Sequence, residues 1–398
     1  MNAAALPGMD RLLPALEGLP PAYLVGGAVR DLLLGAESVD LDVVLEGDAL
    51  AAAWELAERL DGRATTYERF GTATVRAEDL VFDLTSSRRE RYEEPGALPV
   101  VEPAPLAEDL ARRDFTVNAM AIGLTGDELD ELHDPHGGRE DLEGRRVRVL
   151  HERSFVDDPT RMLRAVRYEV RLGFRMDPDT ERLAREATWA LERVSGARVR
   201  DELLDLLAEP EAPAGLARLR ELGVDRGLHP AFDADPELAA AAALGAAETA
   251  ADRRLAALAA LVSRAPDELE PWVEALALGR GDRDRVMAAA RQGPSLPRAL
   301  RADPPPSAVH ALLSCEPAET LAVALAHGAP VAPIHRFLAE LRDVHLEITG
   351  DDLIAEGVPA GPPIGRALNE VLQMKLDGKV SGRQEELRAA LELAREER

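Results

Sequence analysis

Two glycines, an arginine and two alternating carboxylates fall within residues 24–47, LVGGAVRDLLLGAESVDLDVVLEG. In VDLDVVLE the polar and apolar residues alternate, as in a strand with one face buried. Asp40 and Asp42 then point to the same face, about 7 Å apart along the strand. Carboxylates held that close repel one another unless a cation lies between them. Mg²⁺ suits such a pair, because it takes oxygen ligands and leaves room for substrate phosphates. With two Mg²⁺ ions, one activates an attacking hydroxyl and the other steadies the leaving pyrophosphate. The same spacing also describes two solvated residues on an edge strand, and D-x-D alone does not separate the two readings.

The glycines add to the first reading. Gly26 and Gly27 end the apolar run AYLVGG and open AVRDLLLG, a helix pattern closed by Gly35. Backbone N–H groups there can approach a triphosphate with no side chain in the way. Arg30, one turn on, brings a forked cation toward the same phosphate. Asp83 in VFDLTSSR offers a third metal carboxylate, although an Asp that ends a strand is often a turn former. G-x-x-x-x-G-K-[ST] is absent, so a P-loop is not implied, and GGAVRD is not a dinucleotide fingerprint. A glycine pair, 12 residues and then D-x-D in an apolar strand resembles the nucleotidyltransferases related to DNA polymerase β.

The elements that position these groups change character along the chain. Residues 22–125 alternate strand and helix patterns, with DALAAAWELAERL as a helix and TATVRA and LVFDLTSS as strands; VNAMAIGL fits either. From about residue 154 strand signals nearly vanish, and Ala, Leu, Arg and Glu recur at helical spacing between Pro- and Gly-rich breaks. No fixed-period repeat is evident. The expected fold is therefore α+β, an α/β head followed by an elongated all-α neck, body and tail. The 398 residues imply several domains, drawn here as 1–143, 144–207, 208–330 and 331–398.

Composition narrows the class. No apolar run is long enough to span a membrane, and MNAAALPGMDRLL lacks the basic start and apolar core of a secretory signal. A single cysteine, Cys315, leaves no internal disulfide framework, so a cytoplasmic enzyme is expected. The net charge of −26 argues against a generic nucleic-acid coat. Between residues 139 and 200, however, 15 Arg face 12 Asp and Glu, which suits either a local basic groove or helices laced with salt bridges.

Two further segments, EDLARRDFTVNAMAI with Arg112 and Arg113 (108–122) and DPHGGREDLEGRRVRVL (134–150), the latter read as a glycine turn and then a basic strand, complete a pattern. Together with LVGGAVRD and DLD they resemble the class II tRNA nucleotidyltransferases, the CCA-adding enzymes, and the related bacterial poly(A) polymerases. The resemblance implies a polymerase-β-like head, tRNA as partner, and CTP and ATP as substrates, with neither DNA nor a membrane involved. It places Mg²⁺ on Asp40 and Asp42, and the triphosphate on Gly27, Arg30 and Arg113. A poly(A) polymerase or an enzyme adding only CC or only A shares the pattern. An RNA-binding helical protein with an inactive head is the alternative of another class, and the intact D-x-D counts against it.

In FVDDPTRMLRAVRYEVRLGF (155–174) Asp158 followed by Pro159 is a helix start, and Arg161, Arg164 and Arg167 follow at steps of three. By themselves these describe a cap and solvated arginines. The alternative is base reading. Cytosine and adenine each show an amino donor beside a ring-nitrogen acceptor, which a carboxylate and a guanidinium match, and uracil and guanine reverse that order. In CCA-adding enzymes the corresponding motif is E-D-x-x-R; here it is D-D-P-T-R, with Asp157 replacing the Glu while Asp158 and Arg161 are kept. Arg164 and Arg167 are expected to support them. The segment at 86–110, rich in Pro, Gly and charge, is expected to be mobile, and by resemblance is the loop used in terminal A addition. The segment from Ile348 to Leu387 resembles the tail that holds the tRNA elbow.

Overall fold

The alternating patterns of the first 135 residues form a seven-stranded mixed sheet in a computed structural model that describes residues 6–35, 40–68, 71–301 and 303–396. In chain order this part carries α1 (Met9–Ala15), β1 (Ala22–Val25), α2 (Gly27–Leu33), β2 (Leu41–Leu45), α3 (Ala49–Arg59), β3 (Arg63–Tyr67), β4 (Thr72–Ala77) and β5 (Leu80–Ser86). There follow β6 (Arg88–Arg91), β7 (Val100–Pro103), α4 (Leu106–Ala111), β8 (Ala121–Gly123) and β9 (Leu132–His133). The sheet order is β3-β4-β5-β2-β1-β8-β9. Every neighbouring pair in it is antiparallel except β2 and β5, which run parallel with Asp42 opposite Asp83.

Side-chain alternation gives the sheet two unlike faces. On one, Leu24, Val43, Val75, Phe82 and Leu84 pack against Met9 and Leu12 of α1 and Leu56 of α3. Asp48 starts α3 by accepting the Leu50 and Ala51 N–H groups at 2.9 and 3.1 Å. On the other face, Tyr23, Val25, Val44 and Ala121 meet Leu106 and Leu110 of α4. Leu41 and Val43 point into the first cluster, so Asp42 between them points to the α4 side, as does Asp83 between Phe82 and Leu84. VNAMAIGL divides, with a 3₁₀ turn at Thr116–Asn118 followed by β8.

Two sequence expectations are corrected. The segment expected to be mobile contains an antiparallel ribbon, β6 with β7, in which Arg89 donates to Glu102 at 2.9 Å across the strands. Cross-strand charge pairing and backbone bonds give it the order that its composition concealed. The basic run RRVRVL is strand only over β10 (Arg146–Val147), which follows α5 (Gly138–Glu143) and pairs parallel with β11 (Arg175–Met176). Between them lie α6 (Ser154–Asp157) and α7 (Arg161–Leu172).

The chain divides into two compact units: Met1–Glu202 with Glu209–Glu211 and Arg218–Pro230, and Leu203–Ala208 with Ala212–Ala217 and Ala231–Arg398. Among its described residues the second unit contains helix and no strand. Its Ala-rich helices approach closely; a Cβ on Gly245 would stand 2.9 Å from the Ala322 carbonyl oxygen. Among the described residues no single helix is long and apolar enough to cross a membrane.

Phe82 is 1% exposed in the layer beneath α1 and α3, whereas Val81 beside it is 44% exposed. Phe82→Ala should therefore cost about 3–5 kcal/mol in urea unfolding, and Val81→Ala within about 0.5 kcal/mol.

Candidate active site

The parallel β2–β5 register sets Asp42 and Asp83 side by side on the α4 face. Thr74, opposite Asp83 on β4, donates its hydroxyl to Asp83 Oδ1 at 2.6 Å and fixes that carboxylate. Asp40, exposed, stands immediately before β2. Asp42 is exposed as well, but the protein on its flank removes part of the hydration of its carboxyl. That desolvation pushes it above the ordinary value; the Arg113 guanidinium opposes the shift, and Asp83 and Asp40 add to it.

Among the described residues no three acidic, His or Cys side chains enclose a metal by themselves. The carboxylates instead form an open face of hard oxygen donors. Such a face fits a divalent ion that keeps water and phosphate oxygens in its shell, and a cation would relieve the repulsion felt at Asp42.

Arg113 reaches this face because of Asp109. That carboxylate, one turn earlier on α4, is fully buried and cannot stay charged without partners. Its Oδ1 accepts Arg112 Nε at 3.0 Å and Nη2 at 2.7 Å, and its Oδ2 accepts Arg113 Nη2 at 3.0 Å. Turned this way, Arg113 lies against Gly26. A Cβ on Gly26 would stand 2.9 Å from Arg113 Nη1, and Gly26 has φ +71°, so glycine answers both needs. The Gly26 N–H donates to Met120 O at 3.2 Å, and Gly27 opens α2, where its N–H has no partner within the helix. Arg113 Nε is buried and has no hydrogen-bond partner among the described residues. A buried cationic N–H beside a glycine turn and a carboxylate face is a place for an anion.

Arg30 lies beneath the glycine turn among protein partners that the sequence did not announce. Only 4% exposed, it donates Nε and Nη2 to Asp31 at 2.8 and 3.0 Å and Nη1 to Asn118 Oδ1 at 2.7 Å, with Tyr168 5.4 Å away across its ring. It braces the turn from beneath. Asn118 in turn donates to Asp114 Oδ1 at 3.1 Å, and Asp114 Oδ2 lies 2.7 Å from Arg164 Nη2. Burial would raise the Asp114 carboxyl, but Arg164, Arg161, Asn118 and the Phe115 N–H together hold it below the usual range. Asp114 is also the main reason that Arg164 is held firmly charged. Arg167 donates to Glu202 Oε2 at 3.0 Å, and Arg164 lies 3.7 Å from Oε1 of the same residue. The arginine steps of α7 are thus paired rather than solvated.

Asp158 does not cap α7. That helix starts at Arg161 with Thr160 in the cap position, and Asp158 closes α6 in an extended conformation. Pro159 accounts for that extended conformation, since the residue before proline is pushed out of the helical region. Asp158 Oδ1 still accepts the Thr160 N–H at 3.1 Å. Arg161 is 5% exposed and donates Nη1 to Ser154 Oγ and Nη2 to the Arg112 carbonyl, each at 2.7 Å; its Nε stands 4.0 Å from Asp158 Oδ2. The nearer cation at Asp158 is Arg198, with Nη2 2.7 Å from Oδ1.

Sequence reasoning missed Asp109, Asn118, Arg198 and Glu202. Asp109 had a legible signal, lying three and four residues before Arg112 and Arg113 on a helix. Arg198 and Glu202 are distant in sequence from what they touch, as is Asn118 from Arg30.

The mixed sheet, glycine turn and carboxylate face are those of a polymerase-type nucleotidyltransferase head, and residues 22–148 match the family described as the poly A polymerase head domain. Residues 173–235 match the probable RNA and SrmB-binding site of polymerase A. An A-adding tRNA nucleotidyltransferase of Geobacter sulfurreducens is 35% identical over 94% of this chain and 45% of its own length. A CC-adding enzyme of Deinococcus radiodurans is 34% identical over 91% and 87%, and a CCA-adding enzyme of Lactobacillus gasseri 31% identical over 95% and 94%. The chain spans less than half the length of the A-adding relatives it matches. An apo CCA-adding enzyme structure superposes with TM-score 0.84 at 31% identity, covering 98% of this chain and 96% of that one. The Thermotoga maritima CCA-adding enzyme in complex with tRNA gives 0.77 at 31% identity, over 97% and 95%. This chain belongs to the tRNA nucleotidyltransferase family. Enzymes of this family generally use a divalent metal.

Because the folded state raises the Asp42 carboxyl above its unfolded value, the metal-free fold is favoured at low pH and loses that contribution as pH rises. In chelator, Asp42→Asn should therefore melt higher than wild type at pH 7. The gap should close below about pH 4, where both states of the wild type are protonated; thermal scans across pH measure it.

Proposed function

We propose that this protein adds the 3′-terminal CCA of tRNA, or its final A, from CTP and ATP without a nucleic-acid template, releasing pyrophosphate. The observation that carries the reading is the Arg113 guanidinium, which sets Nη1 against Gly26, keeps a buried and unpartnered Nε, and acts electrostatically on the Asp42 carboxyl. Arg113 and the Gly27 N–H take triphosphate oxygens, and Arg30 acts from beneath by holding the turn and Asn118. Asp40 and Asp42, with Asp83 beside them, would hold two Mg²⁺ ions, which neutralise phosphate charge and lower the pKa of an attacking hydroxyl. The tRNA 3′ hydroxyl attacks the α-phosphate in line.

Asp158 Oδ2 accepts the amino proton of cytosine or adenine, and Arg161 donates to the neighbouring ring nitrogen. Arg164 and Arg167, tied to Asp114 and Glu202, hold that helix face in place. Uracil and guanine would set an acceptor against the carboxylate and leave buried groups unpaired. The division of labour into head (1–143), neck (144–207), body (208–330) and tail (331–398), with the tail holding tRNA, belongs to the same proposal, as does action in the cytoplasm on tRNA rather than on DNA or a membrane.

A second reading, addition of A alone, is favoured by identity over matches of similar length: A-adding relatives reach 44% over 211 residues and 48% over 166, against 35% over 227 for a CCA-adding one. Incubating the protein with tRNA lacking CCA and tRNA ending in CC, with CTP and ATP singly and together, separates the two. Addition to both substrates supports full CCA synthesis. Addition of A to the CC end alone supports the second reading, and long A tails on any RNA would identify a poly(A) polymerase.

Asp42→Ala should reduce transfer of every nucleotide to background while leaving the fold intact by circular dichroism. Arg161→Ala should instead cut CTP and ATP incorporation about 10- to 150-fold, from a lost charged hydrogen bond of about 1.5–3 kcal/mol. It should also weaken rejection of UTP, measured by single-nucleotide incorporation.

A further inference from the structure

Asp158 has two oxygens in unlike situations. Oδ1 accepts the Thr160 N–H at 3.1 Å and the Thr160 hydroxyl at 2.6 Å, and pairs with Arg198 Nη2 at 2.7 Å. Oδ2 has Arg161 Nε at 4.0 Å, beyond hydrogen-bond distance. One oxygen is pinned by protein and the other is presented. The threonine alone is a local clasp that moves with Asp158, being two residues away. Arg198 comes from another element, the first turn of the helix Gly196–Ala208, and so fixes the carboxylate to the frame.

Arg198 also reaches the ribbon. Its Nη1 donates to the Gly96 carbonyl at 3.3 Å, and Gly96 donates its own N–H to Asp157 O at 3.3 Å. Gly96 has φ +73°, and a Cβ there would stand 3.1 Å from the Arg193 backbone, so the tip between β6 and β7 docks only as glycine.

We propose that Arg198 is a positioning residue for base selection: it pins Asp158 Oδ1, leaves Oδ2 directed at the incoming base, and ties that geometry to the docked ribbon tip. A guanidinium suits this, since its fork spans two acceptors at once, whereas an ammonium is a point charge. Arg198 is 24% exposed at its side chain, so its replacement does not open a buried void. The inference rests on the base-reading role proposed for Asp158.

The test uses the full chain as wild type, Arg198→Ala, Arg198→Lys and Gly96→Ala. Calorimetric titration with CTP and with UTP, without tRNA, gives a binding preference, and single-nucleotide incorporation into tRNA lacking CCA gives kcat and KM. Arg198→Ala should lower the CTP preference over UTP about tenfold, through KM for CTP more than through kcat. Its melting midpoint should stay within a few degrees of wild type. Arg198→Lys should recover part of the preference by restoring charge, and Gly96→Ala should lose part of it by undocking the tip. An Arg198→Ala protein with wild-type preference, or one slowed equally on all nucleotides through kcat, overturns the proposal. A Gly96→Ala protein with wild-type preference overturns its ribbon half. If wild type prefers CTP in binding yet extends no tRNA, the tRNA reading falls, while the binding ratio still decides the role of Arg198.

Discussion

A carboxylate with no access to water organises the catalytic face. Asp109 is fully buried, and removing an ionised carboxylate from solvent is tolerable only when charged donors replace the lost hydration. Its two oxygens satisfy that demand by taking Arg112 on one side and Arg113 on the other. Arg113 is thereby turned toward Gly26 and the sheet carboxylates, and Arg112 toward Glu90 on β6, at 2.8 Å. One buried charge on α4 thus sets both the anion-facing guanidinium and an anchor of the ribbon.

A second polar chain runs behind the first. Asp31, Arg30, Asn118, Asp114 and Arg164 connect the glycine turn to α7 by successive side-chain contacts of 2.7 to 3.1 Å. Arg30, Asn118 and Asp114 are each less than a tenth exposed. In such surroundings every bond is strengthened by its neighbours, and every missing one is costly. Phe115 and Tyr168, meeting edge to face at 5.6 Å, seal the chain from its apolar side. The glycine turn and α7 are therefore joined by polar contacts and not simply set side by side.

Much of this was legible in the chain and some was not, for identifiable reasons. The alternation in VDLDVVLE announced a half-buried strand, and the glycine pair announced the passage from a strand into a helix; both are local properties, and both are present. Asp83 was recognisable as a candidate, but its place beside Asp42 depends on a parallel register between strands that residues 46–79 separate. Spacing set Arg30 near the turn but could not show that Asp31 and Asn118 take three of its donors. The ribbon was misread because Pro, Gly and charge also suit a strand pair held by Arg89 and Glu102. Asp158 was read as the cap of α7 because its carboxylate does serve the Thr160 N–H and hydroxyl, while the regular helix begins only at Arg161.

The parallel step between β2 and β5 also affects when the catalytic face appears during folding. Chain-local elements such as α3 and the β3–β4–β5 meander can form early, since they close short loops. Asp83 meets Asp42 only after the excursion through α3, β3 and β4 has been completed and β5 has joined β2. The carboxylate face is thus the product of a non-local pairing, and a half-assembled head has strands and helices but has not yet set Asp42 beside Asp83.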